Sequence, residues 1–176
     1  LDSTVTDPML LYMFAAWKHE RITRDGLLRM LADLESYLFR RMVCSVSSNG
    51  LNKLVPSLIA KLESVEDDPA ETFAALLLTE TAKATRMPTD KEFRQALLGE
   101  NLYRPASRCK YLLAGLENHN HPKDPRSFDE YTVEHIMPQN AMAHAEWRDM
   151  LSDPGRFPLP VNSLGNLTLT AYNSEL

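Results

Sequence analysis

Apolar residues in the first two thirds of the chain recur at steps of three and four positions, the spacing that places them on one face of an α-helix. The clearest stripe predicts a helix over 25–43 and comprises Leu27, Met30, Leu31, Leu34, Leu38 and Met42. A turn-rich break at 45–50 separates it from a second stripe, which comprises Leu54, Val55, Leu58, Ile59 and Leu62. These patterns predict amphipathic helices that share a core.

Capping residues followed by proline mark the starts of two helices. Asp7 precedes Pro8 and Asp68 precedes Pro69, so each aspartate is expected to cap a helix whose first position holds the proline. The second of these helices is predicted to continue as far as Ala84. Two more helices are predicted, from Thr89 or Asp90 to Gly99 and from Pro105 to Glu117.

The pattern changes after residue 117. Residues 118–127 are typical of a loop, 131–136 are β-prone up to Pro138, and 167–170 alternate as a strand would. A short helix is predicted over 142–151. We therefore expect a mainly α chain, with a multi-helix domain over 1–127 and a small αβ module over 128–176.

Composition and charge argue against some classes of function for this chain. No apolar run approaches the ~20 residues that span a bilayer, so no membrane segment is expected. Cys44 and Cys109 could form one disulfide, but two buried thiols in the reducing cytoplasm fit the sequence better. A net charge of −5 argues against a general nucleic-acid coat but allows a local basic cleft. Because Leu1 is not a methionine, we expect the chain to be part of a longer protein.

The candidate chemistry lies in the last fifty residues. Glu134 and His135 end the first predicted strand, Asn166 lies on the second, and Asn173 follows it. A hairpin of the two strands would bring all four side chains together. A neutral imidazole can take a proton from water, and carboxylate and amide oxygens suit a hard cation such as Mg²⁺.

Two motifs carry a family resemblance. They are Glu134-His-Ile-Met-Pro-Gln139 and Leu164-Gly-Asn-Leu-Thr-Leu-Thr170, the latter followed by Asn173. Together they resemble the nuclease region of GmrSD-type restriction proteins, which is similar to the His-Asn-His (HNH, His-Me finger) endonucleases. Less specific matches to the helical region of that family extend the resemblance over most of the chain, at 34–41, 50–53 and 108–117.

The resemblance implies a ββα-metal fold, in which two antiparallel strands and a helix hold one divalent ion, Mg²⁺ or Mn²⁺. It implies His135 as the general base, Glu134 and Asn173 as metal ligands, and Asn166 as the residue that holds the loop and so orients His135. Glu134 stands where HNH enzymes commonly have aspartate. The chain ends three residues after Asn173, so the module is expected to be incomplete, truncated before its closing helix.

Basic residues precede the module and are candidates for contact with DNA phosphates. They are Arg104, Arg108, Lys110, Lys123 and Arg126. A solvated helix face is the alternative for the same residues. Arg40 and Arg41 raise a similar choice between DNA contact and interaction with the end of their own helix.

The resemblance implies the C-terminal part of a bacterial, metal-dependent DNA endonuclease. Its reaction would be the hydrolysis of phosphodiester bonds in foreign or modified DNA, as in restriction and phage defence. A nucleotide-hydrolysing N-terminal domain, outside this chain, is the implied partner. The alternative is a helical interaction or regulatory module that carries an inactive nuclease remnant, and RNA as the substrate stays open.

Overall fold

The computed structural model describes residues 4–99, 102–151 and 161–172. These residues are mainly helical, with one small antiparallel sheet of two strands. The chain divides into two compact units, Leu1–Phe93 and Arg94–Leu176. The domain boundary predicted after residue 127 stays a prediction. Within the described ranges, no helix combines the length and apolar character needed to cross a membrane.

The first unit is built on four helices, α1 (Asp7–Lys18), α2 (Arg24–Val43), α3 (Leu51–Glu63) and α4 (Pro69–Thr79). They enclose one core whose largest fully buried side chains include Met9, Met13, Met30, Tyr37, Leu62 and Phe73. The two predicted stripes lie on α2 and α3 and contribute to this core. Their periodicity therefore predicted both the helices and their buried faces.

Side chains cap two of these helices. Asp68 Oδ1 accepts a hydrogen bond from the Ala70 amide at 2.9 Å, which confirms the predicted cap of α4. At the start of α2, Thr23 Oγ1 accepts from the Gly26 amide at 3.0 Å. The predicted cap at Asp7 is wrong, because a 3₁₀ turn over Thr4–Thr6 precedes α1 and moves Asp7 inside its first turn. There the carboxylate still lies near the positive end of the helix dipole.

Helix α4 ends at Thr79, so the predicted continuation to Ala84 is wrong. Glu80 leaves α4 in an extended conformation, and side chains of α2 bind the carbonyls of the segment that follows. Arg41 donates to the carbonyls of Ala84 at 2.8 Å and Arg86 at 3.1 Å. The Tyr37 hydroxyl donates to a further carbonyl of the same segment. The segment therefore leaves the helix and folds over α2.

The buried Arg41 side chain holds several backbone segments of the first unit together. Only 3% of the residue is exposed, and its guanidinium also donates to the Ser47 carbonyl at 2.6 Å. Contact between Arg41 and a DNA phosphate is therefore excluded in this fold. Its neighbour Arg40 forms an ion pair with Asp90 at 2.6 Å and lies over the Phe93 ring, 5.2 Å from its centroid.

The second unit contains α6 (Ala106–Asn120), β1 (Thr132–His135), α7 (Ala145–Met150) and β2 (Leu167–Thr170), and α5 (Asp90–Gly99) leads into it. The strands are antiparallel, with Val133 opposite Leu169 and His135 opposite Leu167. Their inner face packs on α6, where Cys109 is buried with Val133 and Leu167. Burial raises the pKa of the Cys109 thiol to about 11, so it stays protonated near neutral pH.

Both predicted strands are confirmed, and two helix boundaries are corrected. Helix α6 continues to Asn120, into the predicted loop. The helix predicted over 142–151 is divided into a 3₁₀ turn, Ala141–Ala143, and α7. His144 separates the two in an extended conformation.

Candidate active site

His135 lies at the end of β1, on the strand face that packs against α6. In β1 it follows the buried Val133 by two positions, so the alternation of a strand directs both side chains to the same face. The imidazole is half-buried and packs against the Tyr103 ring, with centroids 4.5 Å apart and planes inclined by 57°. These contacts restrict the ring while part of it stays accessible.

Two side-chain amides surround one nitrogen of the His135 ring. Its Nε2 lies 2.8 Å from Asn162 Oδ1 and 3.3 Å from Gln139 Nε2. The other ring nitrogen, Nδ1, has no hydrogen-bond partner within the described part of the chain. The sequence did not single out Asn162 or Tyr103. Asn162 lies four positions before Asn166, but no spacing rule marks an asparagine in a turn-rich segment as a partner of a histidine.

Asn166 holds the loop that follows β1. Only 7% of the residue is exposed, and its Oδ1 accepts from the Met137 amide at 2.7 Å. Its Nδ2 donates to the carbonyls of Met137 at 3.0 Å and Val161 at 2.7 Å. The backbone adds a bond from the Ile136 amide to the Asn166 carbonyl at 2.9 Å. One buried amide therefore joins the segment after His135 to the segment before β2.

Of the two candidate metal ligands, the structure describes only Glu134. Glu134 is half-buried, lies opposite Thr168, and is adjacent to His135 in β1. Neighbouring residues of a regular strand point to opposite faces, so β1 directs the carboxylate away from the imidazole. Asn173 lies outside the described residues. Across residues 4–99, 102–151 and 161–172, no group of three or more His, Cys, Asp or Glu side chains is placed to hold a metal ion.

The predicted DNA-contacting residues lie at opposite ends of α6. Arg104 and Arg108 are exposed near its start, and Arg104 directly follows Tyr103, whose ring packs against His135. Lys123 and Arg126 are exposed beyond its far end. A helix of fifteen residues is about 22 Å long, so the two pairs are well separated.

The fifth basic candidate, Lys110, is engaged within the second unit. Its Nζ donates to the backbone carbonyl of Asp129 at 2.6 Å. This bond attaches the segment before β1 to α6. Of the five candidates, Arg104 and Arg108 are the exposed pair near the start of α6.

Comparison with known proteins gives one match. No curated protein and no solved structure matches the chain. The sequence model of the GmrSD restriction endonucleases, C-terminal domain, matches residues 87–176, about half of the chain. The matched range contains both motifs and every residue of the site described above. The chain therefore belongs to the family of GmrSD restriction endonucleases, through their C-terminal domain.

Proposed function

We propose that the region spanning residues 87–176 hydrolyses phosphodiester bonds in DNA, with His135 as the general base. Family membership supports nuclease activity and a DNA substrate. The observation that carries the catalytic proposal is that the Asn166 side chain forms two hydrogen bonds with Met137, in the loop that follows His135, and a third with the Val161 carbonyl. The buried Asn166 amide holds this loop in one conformation. That fits a site in which the adjacent imidazole must point in a fixed direction.

The proposed reaction begins with the imidazole of His135 taking a proton from a water molecule. The water oxygen then bonds to phosphorus as the bond between phosphorus and the leaving oxygen breaks. Arg104 and Arg108 would hold the negatively charged backbone at the near end of α6. Both arginines are exposed, and Arg104 directly follows Tyr103, whose ring packs against His135; these observations support this role.

A divalent cation belongs to the proposal, and the donor chemistry fits one. The carboxylate of Glu134 and the amide oxygen of Asn173 are hard ligands that suit Mg²⁺ or Mn²⁺. When bound, such an ion would polarise the scissile phosphate. We assign the module to the ββα-metal (His-Me finger, HNH) type, with β1 and β2 as its two strands.

The biological role that fits best is restriction of foreign or modified DNA in the bacterial cytoplasm. Family membership supports restriction. A nucleotide-hydrolysing domain in another part of the same protein would be the partner of this nuclease. Recognition of a modification would then be separate from the hydrolytic chemistry of His135.

Nicking of supercoiled plasmid tests the function. The protein encoded by the complete gene is incubated with plain or modified plasmid, in Mg²⁺, in Mn²⁺ or with a chelator, with and without a nucleoside triphosphate. We expect nicking that requires the metal and that Glu134→Gln shifts to higher metal concentrations. Absence of cleavage on every substrate would overturn the proposal and favour the interaction-module alternative.

A further inference from the structure

The contacts of His135 impose a choice of tautomer. A neutral imidazole carries a proton on only one of its two nitrogens. Asn162 Oδ1 can only accept a hydrogen bond, whereas Gln139 Nε2 can only donate one. The single Nε2 atom of His135 therefore cannot satisfy both amides at once. A proton on Nε2 serves Asn162, and a lone pair on Nε2 serves Gln139.

The geometry favours Asn162. Its oxygen lies 2.8 Å from Nε2, in the centre of the hydrogen-bonding range, whereas Gln139 Nε2 lies 3.3 Å away. The backbone of Asn162 is fixed because its carbonyl accepts from the Leu102 amide at 3.2 Å. Gln139 is exposed, and ordering its long side chain would cost rotamer entropy.

A ring contact supports the same orientation. Tyr103 adjoins Leu102, so the segment that holds the Asn162 backbone also places an aromatic ring against the imidazole. The tilted ring contact restricts the His135 ring to the plane in which Nε2 lies 2.8 Å from the Asn162 oxygen. Nδ1 then remains as the nitrogen that can take a proton, and no described residue bonds to it.

We propose that Asn162 is a positioning residue that holds His135 as the Nε2–H tautomer and leaves Nδ1 as its basic nitrogen. This inference deepens the proposed function, since it rests on His135 as the general base. It assigns a role to a residue whose described contacts are with the His135 ring and the Leu102 amide. It also distinguishes Asn162 from Asn166, which holds the backbone of the loop rather than the ring.

Nuclear magnetic resonance tests the tautomer directly. Long-range ¹H–¹⁵N correlations on protein with ¹⁵N-labelled histidine are recorded at about pH 8.5, where an ordinary imidazole is neutral. The spectrum of His135→Ala identifies the signals of His135. We expect the Nε2–H pattern in the wild type and in Asn162→Asp, which keeps an acceptor oxygen.

Two further variants complete the test. Asn162→Leu removes the acceptor at similar volume, and we expect the signals to shift toward the Nδ1–H pattern as the Gln139 amide donates to Nε2. Gln139→Leu, the matched control, should keep the wild-type pattern. An Nδ1–H pattern in the wild type, or an unchanged pattern in Asn162→Leu, would overturn the inference.

Cleavage kinetics add a second readout. Asn162→Leu should lower kcat about 10- to 100-fold, the usual effect of losing a partner that orients a functional histidine, while KM for DNA stays unchanged. Asn162→Asp should recover most of this loss. Equal losses in the two variants would contradict the role. Because the tautomer is read without turnover, an inactive wild type would refute the proposed function and leave the tautomer result decisive for Asn162.

Discussion

The Asn166 side chain binds both backbone groups of Met137, accepting from its amide at 2.7 Å and donating to its carbonyl at 3.0 Å. The two residues are 29 positions apart in the chain, on the loops that leave β1 and enter β2. These two hydrogen bonds join the same two chain segments as the short sheet does, just beyond His135. The same contact therefore contributes both to the stability of the second unit and to the geometry of its candidate site.

Removal of this contact should destabilise the second unit. Asn166→Ala leaves a buried amide N–H and two carbonyls without partners, each at a cost of about 1 kcal/mol or more. We expect the free energy of unfolding to fall by about 2–4 kcal/mol, measured by urea denaturation. Asn140→Ala is the matched control, since Asn140 is exposed and its side chain caps nothing. Similar losses in both variants would show that the Asn166 bonds contribute little.

The buried guanidinium in the first unit predicts a contrast between adjacent arginines. Arg41→Met removes bonds to three carbonyls and should lower the free energy of unfolding by about 2–4 kcal/mol. Arg40→Met removes a partly exposed ion pair with Asp90 and should cost less than about 1 kcal/mol. Thermal denaturation of both variants checks the order. A larger loss in Arg40→Met would contradict the structural role of Arg41.

Two glycines should respond to alanine in opposite directions. A Cβ at Gly50 would lie 2.8 Å from the Ala84 carbonyl oxygen, a backbone atom that Arg41 holds in place. Gly50→Ala should therefore destabilise the fold by about 1–3 kcal/mol. Gly115 lies inside α6 with open space around it, so Gly115→Ala should stabilise by about 0.5–1 kcal/mol. Melting temperatures that shift in the same direction would refute this pair of predictions.

The start of α5 predicts a specific acid sensitivity. Hydrogen bonds from Arg86 and then from Thr89 lower the pKa of Glu92 to about 2, from an ordinary value of 4.5. Its carboxylate and the Thr89 hydroxyl bond each other's backbone amides, which is a capping box. Since the folded pKa is depressed, this contribution is complete above about pH 4.5 and is lost as the pH falls toward 2.

Glu92→Gln isolates this contribution because glutamine keeps the shape but does not titrate. The wild type should lose stability more steeply than Glu92→Gln between pH 4.5 and pH 2, as followed by circular dichroism during acid titration. Above pH 5 the wild type should be the more stable protein. Parallel acid transitions in the two proteins would mean that the Glu92 contacts do not contribute.

The spacing of apolar residues along the chain was sufficient to predict most of the fold. The stripes of α2 and α3 and the alternation over 167–170 are local patterns, and each predicted its element. The extension of a helix to Ala84 failed for a tertiary reason. Local propensity favours helix there, but Arg41, more than forty positions earlier, binds the carbonyls of Ala84 and Arg86 and so holds this segment against α2.

The same holds for the candidate site: short sequence motifs predicted some of its residues, whereas contacts between distant segments were not predicted. The two motifs identified His135 and Asn166, because their residue types and order are distinctive. The partners of the imidazole were not predictable, since Tyr103 and Asn162 reach it from segments 32 and 27 positions away. Side-chain contacts of that kind arise from packing, and no spacing rule encodes them.

The most direct test of the central claim is the single-turnover cleavage rate of His135→Ala in the protein encoded by the complete gene. Loss of a general base should lower this rate about 10²- to 10⁴-fold while DNA binding stays intact. His119→Ala, an exposed histidine near the end of α6, is the matched control and should cleave at the wild-type rate. Cleavage by His135→Ala at the wild-type rate would contradict the assignment of His135 as the base.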